Sequence, residues 1–110
     1  MAWLVSDDRV LATLEVADTA WRRGRGLLGR DRCDGAMLFP ATRSVHTLGM
    51  RFPIDVAICT ENLEVIEVLT LSPNRLTRPR LRGRMVVEAP AGAFTRWGGG
   101  PGDCLEVRGG

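Results

Sequence analysis

The stretch from Ser44 to Asp55 concentrates the residue types that could do chemistry. His46 is the only histidine in the chain, and imidazole is the side chain that exchanges protons near neutral pH. Arg51 offers a fixed positive charge on a planar fork that suits carboxylate or phosphate. Asp55 sits among Ile54, Val56 and Ile58. Neighbours on a strand point to opposite faces, so Asp55 is expected to face away from those three, with Ala57 and Cys59. Glu88 is a second acid inside an apolar run, Met85 to Glu88.

Two readings of these acids stand side by side. Burying an unpaired charge is expensive, so each acid could be locked in an ion pair with Arg30, Arg51 or another arginine. Alternatively, His46, Met50, Arg51, Asp55 and Glu88, with Arg30, could line a polar pocket for a small anionic or hydroxylated ligand. As an enzyme the chain would need His46 as general acid or base beside Asp55 or Glu88. The reading leans toward a non-catalytic small-ligand or partner-binding module with no catalytic residue assigned.

Other chemistries are weakly supported. The cysteines Cys33, Cys59 and Cys104 are far apart and odd in number, which argues against a disulfide framework. A zinc site is usually announced by close ligand pairs, and none occurs, so no metal and no cofactor is expected. Nothing in the sequence brings Cys59 to His46 as nucleophile and base. The stretch GRGLLG at 24–29 has the letters of a dinucleotide fingerprint. That motif works between a strand and the following helix, with an acid about twenty residues on. Here the glycines follow a helical pattern, and no carboxylate stands between Asp34 and Asp55. Gly24, Gly26 and Gly29 read as the end of a helix.

The basic residues are 15 arginines without a single lysine, and the net charge of +2 does not by itself call for a polyanionic partner. Arg75, Arg78, Arg80, Arg82 and Arg84 nevertheless crowd a stretch, Val68 to Val87, that has no acid. They are the candidate nucleic-acid contacts. The loop has no aromatic residue to stack on bases, so a solvated loop is the preferred reading and nucleic acid is disfavoured. No apolar run approaches a membrane span, and no signal peptide is seen at the N-terminus. A cytoplasmic protein without a membrane partner is expected.

The elements that must position these groups are mostly strands. Trp3–Val5 and Val10–Val16 form a hairpin turning at Ser6-Asp7-Asp8, with Val10, Ala12, Leu14 and Val16 on one face. Asp18-Thr19 caps a helix that carries Trp21 and runs into the glycines. Strands are expected at 36–39, 44–48, 54–60, 63–71, 85–88 and 104–107. The apolar phase of 63–71 slips near Val65-Ile66, which predicts a bulge. Ala91–Trp97 reads as a helical turn, and Trp97 after Phe94 as a core plug.

Five blocks in register carry a resemblance: TAWRRGRGLLGR (19–30), GAMLFP (35–40), HTLGMRFPIDVAI (46–58), VVEAPAG (86–92) and GDCLEV (102–107). In this order they resemble the small bacterial and archaeal family called domain of unknown function 192. The resemblance implies one α+β domain over residues 1–110, a mainly antiparallel curved sheet or partly open β-barrel with one main helix. It implies no activity. The chain departs from the family's commoner pattern, since Gly49 stands at a tryptophan position ahead of Pro53-Ile54-Asp55. A pocket covered by that tryptophan in relatives would be differently built here.

Overall fold

The computed structural model describes residues 2–17 and 35–109. The helix expected after the Asp18-Thr19 cap, the glycines of GRGLLG, Arg30 and Cys33 fall outside them. The strands are β1 (Ala2–Ser6), β2 (Arg9–Val16), β3 (Ala36–Pro40), β4 (Ile54–Cys59), β5 (Val65–Leu71), β6 (Met85–Pro90) and β7 (Glu106–Gly109), with α1 (Ala93–Arg96) between β6 and β7. They form one mixed sheet in the order β5-β4-β6-β3-β2-β1-β7. Only β2 and β3 run parallel. Among the described residues the fold is therefore mainly β with a single short helix. The sheet of the α+β expectation is present, and the residues on which the main helix was expected lie outside those described.

Local chemistry explains the strand boundaries. Asp7 and Asp8, both at positive φ, form the two-residue loop between β1 and β2, a primed turn whose twist matches the flanking strands. The expected alternation in β2 fails at one place. Leu4 pairs with Ala12 but Val5 pairs with Val10, so Leu11 is an extra residue. Leu11 then packs on the core beside Ala12, and Val10 is left exposed. The bulge expected at Val65-Ile66 is present: Ile58 faces Glu67 and Cys59 faces Val65, leaving Ile66 unpaired in the ladder.

The sheet curls without closing. No ladder joins the edge strands β5 and β7, although a bridge from Glu64 to Cys104 and the bond from Leu105 N–H to Leu63 O draw their beginnings together. The concave face holds Leu4, Leu14, Leu38, Val87 and Phe94. Trp97 packs against this cluster and meets Phe94 edge-on with centroids 5.1 Å apart. The opposite face holds Met37, Phe39, Ile54, Val56, Ile58 and Val86, covered by Val45, Met50 and Phe52 from the connection between β3 and β4.

The expected strand at 44–48 is instead one side of an irregular ribbon. His46 and Leu76 make a single bridge. The partner segment contains Pro73 and Pro79, which have no N–H to give a ladder. Threonines replace the missing bonds. The Thr47 hydroxyl donates to Ser72 O at 2.7 Å and accepts the Arg75 N–H at 2.9 Å. The Thr77 hydroxyl accepts the Val45 N–H at 2.9 Å. Thr47 is fully buried, so Thr47→Val should destabilise the protein by about 2 kcal/mol, because the part-buried Arg75 N–H loses its acceptor and Ser72 O its donor. Urea unfolding of the variant measures this, and an unchanged midpoint would contradict the role.

Candidate functional site

The two buried acids have different surroundings. Asp55 pairs across the sheet with Thr70 and Ala89 and shares the concave face with Ala57 and Cys59. Its carboxylate accepts the Thr70 hydroxyl at 2.7 Å and the Phe94 N–H at 3.2 Å. Phe94 lies in the first turn of α1, whose N-cap Gly92 has no side chain to offer. Asp55 thus does from a neighbouring strand what a capping residue ordinarily does from within the helix. Its role here is to hold α1 against the sheet.

Glu88 lies on the other face. It stands opposite Met37 on β3 and Val56 on β4, and is only 5% exposed. Its Oε2 is buried and has no hydrogen-bond partner among the described residues. Burial pushes the carboxyl up to about 7, because a charge without partners is disfavoured in an apolar setting. At neutral pH the group is divided between its acid and its anion.

The candidate residues therefore do not gather as one set. Met50 is buried in the apolar cluster that contains Met37 and Val56, the two residues flanking Glu88. His46 and Arg51 are exposed on the covering connection. Asp55 is on the opposite side of the sheet, and Arg30 lies outside the described residues. Cys59 is fully buried on the concave face, and burial raises its thiol to about 12. Such a thiol is held in its unreactive form, and His46 is exposed. Cys104 is exposed beside β7.

The arginines of the 72–84 loop lie along the ribbon with residues 42–49. Arg80 N–H bonds to Arg43 O, and Arg84 O accepts the Thr42 N–H. Arg80 forms a 2.7 Å ion pair with Glu67. Among the described residues, Arg43, Arg75, Arg78 and Arg82 are in no ion pair. Between them stand large apolar side chains that the sequence reading passed over, Leu76 at 72% and Leu81 at 89% exposure. The available signal was an apolar residue isolated among arginines, as in Arg80-Leu81-Arg82.

A family model called DUF192, "Uncharacterized ACR", matches residues 2–107. The chain belongs to the DUF192 family. A UPF0127 protein of Pyrococcus horikoshii is 33% identical over 84 residues, 72% of this chain and 73% of that protein. A UPF0127 protein of Pyrococcus furiosus is 38% identical over 63 residues, 57% of this chain and 54% of that protein. Among solved structures, a Sinorhizobium meliloti protein whose name offers it as a candidate transcription regulator superposes with a TM-score of 0.81. It is 26% identical, with 96% of this chain and 91% of that one covered. A Novosphingobium aromaticivorans protein of unknown function superposes with a TM-score of 0.77 at 18% identity, covering 96% of this chain and 82% of that one. That second likeness concerns the fold alone. No helix among the described residues is long and apolar enough to cross a membrane.

Proposed function

We propose that this DUF192 protein is a non-catalytic binding module whose ligand contact is Glu88. The supporting observation is the buried Oε2 without a partner. A native interior seldom leaves such a group unmatched, and each exception calls for an explanation. A ligand that brings a hydroxyl or amine to Glu88 would supply the missing bond, while Met37, Met50 and Val56 offer apolar contact. A carboxyl divided between acid and anion can donate to a hydroxyl or accept from one. It would repel an anion, so the hydroxylated class is favoured over the anionic one. The position of Asp55 on the other face and the exposure of His46 on the covering connection favour the non-catalytic reading over an acid–base pair centred on Glu88.

A thermal-shift screen of small polyols, alcohols and amines tests this reading. A compound that binds only the folded form raises the melting temperature. Compounds that do so are expected to lose their effect on Glu88→Leu, which is of similar size but offers neither donor nor acceptor. Equal shifts in the wild type and the variant would place the ligand elsewhere.

A further inference from the structure

A second surface, made of different residues from the Glu88 site, has its own chemistry. The ribbon's inner side, Val45 and Thr47, is buried, and the alternate residues His46 and Leu48 point out. The facing segment behaves likewise, with Thr77 buried between exposed Leu76 and Arg78. The outer side therefore carries Leu48, Leu76 and Arg78, and Arg43, Arg75 and Arg82 are exposed along the same ribbon. Leu48, Leu76 and Leu81 are 51%, 72% and 89% exposed. Neither residues 41–54 nor residues 68–87 contain an acid. Among the described residues, the carboxylate paired with this segment is Glu67, and Arg80 occupies it.

From this we infer that the ribbon docks the protein onto an anionic phospholipid surface, with Arg43, Arg75, Arg78 and Arg82 meeting lipid phosphates and the three leucines entering the interfacial layer. Guanidinium groups bind phosphate in forked geometry. Clustered cations near an anionic bilayer add their attractions, and apolar side chains that reach the acyl boundary add burial. Charge alone would serve a nucleic acid equally well. The leucines separate the two partners: single-strand readers use rows of aromatic platforms, and the ribbon turns three leucines outward against one ring, His46. Solvated aliphatic tips flanked by arginine match a lipid interface instead. The lack of a spanning segment, on which the expectation of no membrane partner rested, does not bear on docking at the surface.

Vesicle flotation of the full chain tests the inference, with phosphatidylglycerol-containing vesicles set against pure phosphatidylcholine vesicles. Binding is expected on the anionic vesicles alone, and it should weaken at least about tenfold in high salt. The double variant Leu76→Asn with Leu81→Asn keeps every charge, and it should weaken vesicle binding about tenfold or more. Its retention on heparin should stay that of the wild type. Arg75→Glu with Arg78→Glu should abolish both. All four positions are exposed, and a wild-type melting temperature confirms that each variant folds. Failure to float at low salt would overturn the inference. So would leucine variants that float like the wild type, or an RNA oligonucleotide bound more tightly than the vesicles.

Discussion

Raising the pH from about 4.5 to about 7 should cost the ligand-free protein roughly 3 kcal/mol of folding stability. The cause is Glu88. In the unfolded chain its carboxyl ionises around the ordinary 4.5, whereas in the folded chain burial holds it to about 7. Between those values the unfolded chain has released a proton that the folded chain retains, so stability falls as pH rises. Below 4.5 both forms are protonated and above 7 both are ionised, and this contribution is flat. Glu67 acts in the opposite sense, since Arg80 holds it below its usual value. Its contribution is lost only as pH falls below the window. Urea unfolding across the range gives the slope directly. Glu88→Leu should remove it and stabilise the protein above pH 7 by about 2 kcal/mol, because an apolar side chain of similar size suits the space between Met37 and Val56. A Glu88→Leu variant that is less stable than wild type at pH 8 would show that the acid has a structural partner.

The opposite outcome is expected on the other face of the sheet. Asp55→Ala should destabilise the protein by about 3 kcal/mol, because two donors lose a charged acceptor together. One is the buried Phe94 N–H at the start of α1, and the other is the Thr70 hydroxyl. Asp55→Asn retains one acceptor oxygen and should cost about half as much. Neither change should move the Glu88 titration, since the two side chains leave the sheet in opposite directions. Losses below about 1 kcal/mol, within the range of ordinary substitutions, would reduce Asp55 to a passive buried polar group.

The contrast between the two acids marks how far the sequence could be read. Strand periodicity placed Asp55 with Ala57 and Cys59, and a phase slip located the Ile66 bulge. It also picked out Glu88 as an acid within an apolar strand. Period alone could not say which face of β6 meets which face of β4. That depends on register, which pairs Val56, not Asp55, with Glu88. The acids that looked like one site in a linear reading are consequently divided by the sheet. The bulge at Leu11 had no comparable signal, because Leu11 and Val10 are both apolar and either could have been buried. The 44–48 segment was misread for a related reason. Its bonds run to threonine side chains and to a proline-containing loop some thirty residues away, and residue propensities carry no record of such distant partners.

The most direct test of the account is the carbon-13 titration of the Glu88 carboxyl, assigned by comparison with Glu88→Gln. A midpoint near 7 in the free protein is the expected result. A midpoint near the ordinary 4.5 would mean that the carboxylate is already solvated or paired, and the case for Glu88 as a ligand contact would fail.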